Sequence, residues 1–305
     1  MNADENNNTR CDPGVPSIEA HVSRRYAAGA ECRETELCCP VSYDPRLLKV
    51  IPDEVLKRDY GCGDPSRWVS KGQHVLDLGS GGGKICFIAS QIVGSSGSVT
   101  GVDMTDEMLE LAKSAATLVG ERLGYHNVRF LKGRIQDLRL DRDWLDRRLA
   151  RKPPANETEY AALQDEIEKQ QADNPLVADN SIDTVVSNCV LNLVRPGHKA
   201  ELFSEIHRVL RPGGRAVVSD IVADTDVPRA MQQDAELWSG CISGALRGDR
   251  FLQAFNDAGL IEVKIVEQAD KPWRVEQGIA FSSVTVTASK KTGADNNSTA
   301  TGSCC

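Results

Sequence analysis

The segment VLDLGSGGGK, residues 75–84, constrains this chain more than any other. An apolar run, HVLDLG (74–79), ends in glycines and gives way at once to KICFIASQIV (84–93), which reads as a helix. Strand, glycine turn and helix in that order open a βαβ unit. Glycines at 79, 81, 82 and 83 let the main chain turn tightly and approach a ligand closely. A second strand, SVTGVDM (98–104), carries Asp103 about 20 residues beyond the glycines, where an acid can accept both hydroxyls of a ribose.

The same rhythm continues along the chain. Thr105 stands as an N-cap, with Asp106 and Glu107 in the first turn, before the helix EMLELAKSAATLVGERL (107–123). Further strands are expected at VRFLKGRI (128–135), IDTVVSNCVLNL (182–193), RAVVSDIVA (215–223), VKIVEQ (263–268) and AFSSVTVTAS (280–289). Helices are expected at ELFSEIHRVL (201–210), stopping at RPGG, and at FLQAFNDAGL (251–260). The pattern implies an α/β, Rossmann-like fold: a mostly parallel seven-stranded sheet with helices on both faces. Residues 138–175 interrupt it with a charged stretch, read as an exposed helical insertion with a capping box at Asn156 and Glu159. The expected layout is a flexible segment 1–37 and a cofactor domain 38–223. Residues 224–290 complete the sheet, and 291–305 form a disordered tail.

Composition removes several function classes. A 40% hydrophobic content suffices for a core, and aromatics at 5% make that core aliphatic. A formal net charge of -8 argues against nonspecific nucleic-acid or anionic-membrane binding. No run of ~20 apolar residues is present, so no membrane span is expected. The first ten residues lack a secretory pattern, so a cytoplasmic location is expected; the chain is also expected to be a monomer. Ten cysteines are then unusual. No Cys-x-x-Cys pair is present, which disfavours structural zinc.

The form Asp-x-Gly-x-Gly-x-Gly at Asp77, Gly79, Gly81 and Gly83 resembles motif I of the S-adenosylmethionine (SAM) methyltransferases more than a dinucleotide fingerprint. The resemblance implies that the turn holds the methionine part and that Asp103, with Met104 beside it, binds the ribose. Ile135 and Gln136, in RIQDL, would flank adenine. Asn188 would lie at the cofactor pocket.

Three cysteines stand out by position. Cys189, in SNCVLNL, lies at or just past the carboxyl end of the fourth strand, where open α/β sheets bind ligands. Cys241, in LWSGCISGAL, sits among small residues. Cys62, in YGCGDP, lies in a turn whose Gly61 and Gly63 would leave the thiol uncovered. Cys86, between Ile85 and Phe87 within a helix, reads as core. Together with the glycine turn, the YGCGDP, SNCVLNL and SGCISGA segments closely resemble the arsenite methyltransferases, from about Cys38 to residue 287 apart from the insertion. The resemblance implies that Cys62, Cys189 and Cys241 bind trivalent arsenic. It also implies that Cys38 or Cys39 takes part in a disulfide relay.

The chemistry agrees. Trivalent arsenic is soft and selects thiolate sulfur. With three sulfurs bound, its lone pair can attack the methyl of SAM, and no general base is needed because arsenic carries no proton. The implied function is methylation of arsenite, its thiol complex or methylarsenite, for detoxification. The implied co-substrates are SAM and a thiol reductant, glutathione or thioredoxin. A SAM-dependent methyltransferase for a small organic acceptor is the alternative, and a noncatalytic thiol protein a third. Cys11, Cys32, Cys304 and Cys305, in the end segments, are not assigned a role.

Overall fold

The computed structural model describes residues 18–31, 41–58 and 60–293. Its strands are β1 (His74–Leu78), β2 (Ser98–Asp103), β3 (Val128–Lys132), β4 (Ile182–Asn188), β5 (Leu210–Ala223), β6 (Leu260–Gln268), β7 (Arg274–Glu276) and β8 (Ile279–Lys290). The helices are α1 (Ile18–Glu31), α2 (Pro45–Leu48), α3 (Asp53–Lys57), α4 (Lys84–Val93), α5 (Asp106–Leu123), α6 (Arg142–Arg151), α7 (Glu157–Asp173), α8 (Lys199–Val209), α9 (Arg229–Gln232), α10 (Ala235–Ser239) and α11 (Gly248–Asp257). No helix among the described residues is long and apolar enough to cross a membrane.

Seven strands form one path in the order β3-β2-β1-β4-β5-β8-β6. β1 to β6 all point the same way, and β8, between β5 and β6, runs antiparallel to both. This is the mostly parallel sheet expected. An eighth strand was not anticipated: β7 pairs with β8 off the path. Gln277 and Gly278 turn the chain between them, both at positive φ. Three residues are too few to carry a period.

Each face of the sheet buries one layer of helices. α4 and α5 press Ile85, Phe87, Ile88, Leu109 and Val119 onto one face. α8 and α11 cover the other with Phe203, Phe251 and Phe255, packed edge to face at 4.8–6.3 Å between centroids. Full burial of each such side chain contributes about 1.5–3 kcal/mol.

Several boundaries differ from expectation. β4 stops at Asn188 rather than 193, because Cys189 takes φ 62° and cannot continue a strand. Residues Leu191–Leu193 form a 3₁₀ turn instead. β5 begins at Leu210 rather than 215, running through the Pro-Gly-Gly sequence with a shift of register against β4. Thr105 occupies the N-cap of α5 but makes no side-chain cap bond; its N–H goes to Asp103 Oδ1 at 2.9 Å. α1 is helical within the segment 1–37 expected to be flexible, and it packs on α10 and α5. The insertion contains two helices, α6 and α7, joined by Arg148 Nη2 donating to Glu166 Oε1 at 3.0 Å. Asn156 Oδ1 accepts the Glu159 N–H at 2.9 Å, and Glu159 Oε2 accepts from Ala155 N at 2.9 Å. The expected box is therefore closed one residue before the cap.

Candidate active site

The glycine turn shapes the cofactor side of the site. Asp77 is buried at the end of β1 and accepts the Cys86 thiol at Oδ2, 3.2 Å away. Cys86 is thus core, as expected, and also a partner for a buried carboxylate. Its thiol is pushed well above its ordinary value by burial and then by the Asp77 charge, so it stays protonated and able to donate. Gly79 turns at φ 70°, and a Cβ there would meet Val190 Cγ1 at 2.4 Å. Gly83, at φ 90°, presses against Phe130 instead. It serves helix–sheet packing and does not line the cleft, unlike Gly79 and Gly81.

Asp103 ends β2 and accepts Gly81 N–H at Oδ2 and Thr105 N–H at Oδ1, each at 2.9 Å. These donors fix the carboxylate in place. Burial nonetheless raises its pKa, with the backbone donors opposing. The turn opens on a cleft of about 1120 Å³, including its open mouth. Asp77, Asp103 and Met104 lie on its wall, with Ile135 and Gln136 beside them. Asn188 and Cys189 complete the wall where β4 ends. A glycine cradle, a fixed acid at a strand end and an apolar flank suit a nucleoside with a charged amino-acid tail.

Cys62, Cys189 and Cys241 come together in one apolar cluster with Ile221, Met231, Ile242 and Phe281. All three are buried, and none is in a disulfide. Cys189 sits in hydrogen-bonding contact with both Cys62 and Cys241. It alone of the three also lines the cofactor cleft. The Cys241 thiol donates to the Cys189 carbonyl at 3.3 Å. For Cys189, the Cys241 hydrogen bond lowers the pKa, but the Cys62 contact, burial and the Asp220 charge outweigh it. The thiol ends well above its ordinary value. Cys241 is raised as well, by the Cys189 hydrogen bond first and burial second. Among the described residues no group of three His, Cys, Asp or Glu is disposed to hold a metal ion. The cluster is one of touching thiols rather than a ready-made metal cage.

The glycines around Cys62 have a different purpose from the one expected. Cys62 is only 6% exposed, so they do not uncover it. A Cβ on Gly61 would strike Asn188 Nδ2 at 2.2 Å, and one on Gly63 would strike Ser219 Oγ at 2.4 Å. The loop is pressed onto the sheet. Asn188 Oδ1 accepts Cys62 N–H at 2.9 Å and Gly63 N–H at 3.1 Å, while its Nδ2 donates to Gly63 O at 2.8 Å. Asn188, expected only at the cofactor, therefore also carries the Cys62 loop.

A buried polar network supports the other two thiols. Cys189 N–H donates to Ser219 O at 2.7 Å. Asp220 accepts Leu191 N–H at 2.8 Å and Asn192 Nδ2 at 2.9 Å. Asn192 Nδ2 also reaches Ile221 O at 2.6 Å and Cys241 O at 3.4 Å. Burial raises Asp220 to about 6 and lowers Lys199, which donates to Leu191 O at 3.0 Å, to about 8. Asp220, Lys199 and Tyr26 were missed in the sequence. Tyr26, on α1, places its hydroxyl 3.9 Å from Cys241 Sγ and lines the cleft. Burial, followed by the Cys241 and Cys189 charges, pushes its phenol well above the ordinary value, so it keeps its proton. Cys38 and Cys39, with Cys11, Cys32, Cys304 and Cys305, lie outside the described residues.

The chain matches a family described as a methyltransferase domain over residues 69–170 and 155–259. It is 35% identical over 243 residues to an arsenite methyltransferase of Aquipseudomonas alcaligenes, covering 78% of this chain and 59% of that one. The mouse arsenite methyltransferase is 35% identical over 207 residues, 67% of this chain and 46% of that one. This chain thus spans about half to three fifths of these curated relatives. The crystal structure of an arsenic (III) S-adenosylmethionine methyltransferase from Chlamydomonas reinhardtii superposes with a TM-score of 0.64 at 30% identity. That match covers 83% of this chain and 76% of that one. With the glycine cradle and the thiol segments in place, this chain belongs to the arsenite methyltransferase family of SAM-dependent methyltransferases.

Proposed function

We propose that this chain transfers the methyl group of SAM to trivalent arsenic held by Cys62, Cys189 and Cys241. The observation that carries the proposal is the double position of Cys189, in the wall of the cofactor cleft and in contact with both other thiols. SAM bound in the cleft would supply an electrophilic methyl group on a sulfonium. The main chain at Gly79 and Gly81 would receive its methionine part, Asp103 its ribose hydroxyls, and Ile135 and Gln136 its adenine.

The substrate chemistry balances without a general base. Arsenite carries three hydroxyls, and three thiols displace them as three waters; the thiol protons leave in that water. Arsenic keeps its lone pair, which forms the As–C bond, while the electrons of the broken C–S bond stay with the departing sulfur. The chain's contribution is placement and exclusion of water. Methylation formally oxidises arsenic by two electrons. Two thiols closing to a disulfide supply them, and glutathione or thioredoxin restores the thiols by exchange. Cys38 or Cys39 is the proposed relay partner. Buried cysteines outside any disulfide suit a reducing, cytoplasmic compartment. Arsenic detoxification by a monomer completes the proposal.

A SAM-dependent methyltransferase for a small organic acceptor would need an apolar acceptor pocket where the thiols converge. Cys189→Ser separates the two. Arsenite methylation is expected to vanish while SAM still binds. Undiminished arsenite methylation by this variant would refute the arsenic site.

A further inference from the structure

Tyr26 is held in place by contacts that reach both outer thiol loops. Arg25 Nη1 donates to Glu236 O at 3.1 Å and to Ser239 Oγ at 2.8 Å, two residues before Cys241. Tyr60, two residues before Cys62, donates its hydroxyl to Gly29 O at 2.9 Å. The Tyr26 and Tyr60 rings meet edge to face, 6.0 Å apart at 84°. α1 is therefore pinned to the Cys62 loop at one side and the Cys241 loop at the other. Between those pins, the Tyr26 hydroxyl stands 3.9 Å from Cys241 Sγ, and its side chain forms part of the cleft wall that includes Cys189.

We propose that Tyr26 is a positioning residue for arsenic ligation, donating its phenolic hydrogen to the Cys241 sulfur and closing the cleft beside it. The inference rests on the arsenic reading above. In the free protein either atom of this contact can be the donor. Once Cys241 is bonded to arsenic it has no proton left, so only the phenol can donate. The contact then holds one ligand sulfur in the geometry that three-sulfur binding requires. Hydrogen bonds onto a charged or polarised acceptor exceed ordinary ones in strength. The phenol keeps its own proton throughout, so the balance of the binding step is unchanged.

Tyr26→Phe in the full chain tests this, because phenylalanine retains the ring and its packing and removes only the donor. Arsenite binding is read by equilibrium dialysis, SAM binding by calorimetry, and stability by thermal melting. The dissociation constant for arsenite, and its KM, should rise about three- to tenfold, the loss of one net hydrogen bond. The dissociation constant for SAM and the melting temperature should stay unchanged. A phenol ultraviolet difference band on arsenite addition should appear in the unsubstituted chain and be lost in the variant. Arsenite binding as tight in Tyr26→Phe as in the unsubstituted chain overturns the assignment. An unsubstituted chain that binds SAM but no arsenite overturns the arsenic reading itself, and the role of Tyr26 with it.

Discussion

Cys189 and Cys241 share a backbone φ of 62°, and the thiol of the second donates to the carbonyl of the first at 3.3 Å. A side chain other than glycine in this left-handed region costs about 1–2 kcal/mol. Strain of this kind persists where surrounding structure over-determines it. Here the Ser219, Asp220 and Asn192 hydrogen bonds do so. Strain retained at both thiols is what a ligand site, rather than a packing core, would keep.

This strain has a measurable consequence. Cys189→Gly should be more stable than Cys189→Ala by about 0.5–1 kcal/mol, because glycine relieves the φ cost that alanine retains. Both should lose arsenite binding. Thermal melts of the two variants decide it, and an alanine variant as stable as the glycine one would show that the site is unstrained.

Gly61→Ala should displace the Cys62 loop, since the added methyl meets Asn188 at 2.2 Å and cannot be moved without breaking the bonds to Cys62 and Gly63. The KM for arsenite should rise at least tenfold; Gly61 and Asn188 also line the cofactor cleft, so SAM affinity should fall as well, by less. A larger loss for SAM than for arsenite would contradict the loop's role at Cys62.

Asp103→Ala should do the reverse. Losing a fixed carboxylate at the ribose should weaken SAM binding by about 2–3 kcal/mol. The Cys62, Cys189 and Cys241 cluster does not touch Asp103, so arsenite binding without SAM should be unchanged. Calorimetric titration of each ligand separately checks both halves.

The raised thiols predict a pH dependence in rate. With Cys189 and Cys241 held well above their ordinary values, nearly all of each is protonated at neutral pH. The thiolate is the attacking form, so the arsenite association rate should rise about tenfold per pH unit between about pH 6 and 8. Affinity should stay nearly flat, because arsenite hydroxyls take up the thiol protons as water. The linkage sign is also fixed. Folded thiols titrate above unfolded ones, so their stabilising contribution is complete below the unfolded value, about 8.5, and is lost as pH rises through the folded value. Stopped-flow binding across pH, with melts at alkaline pH, tests both.

The fold was legible wherever the chain repeats a period. The β1 turn, α4, β2 and α5 lie where the glycine spacing and the apolar rhythm put them, because local preference and tertiary packing agree there. β7 is too short to show alternation. The Leu210–Gly214 start of β5 was hidden because Pro212, Gly213 and Gly214 read as a break, although the backbone still pairs with β4. In the site, Cys62, Cys189 and Cys241 were found from their flanking segments. Their supports were not. Asn188 contacts a loop 126 positions away from it in sequence, and Tyr26 meets Cys241 across 215. No local pattern encodes such pairings. The purpose of Gly61 and Gly63 was misjudged for the same reason: close approach to Asn188 and Ser219 exists only in the folded chain.

The most direct test of the central claim is mass spectrometry of the products formed from arsenite, SAM carrying a deuterated methyl group, and glutathione. The account predicts arsenic species bearing the deuterated methyl, together with S-adenosylhomocysteine, and neither from the Cys189→Ser variant. S-adenosylmethionine consumed without any methylated arsenic, or recovered intact while arsenite remains bound, would contradict it.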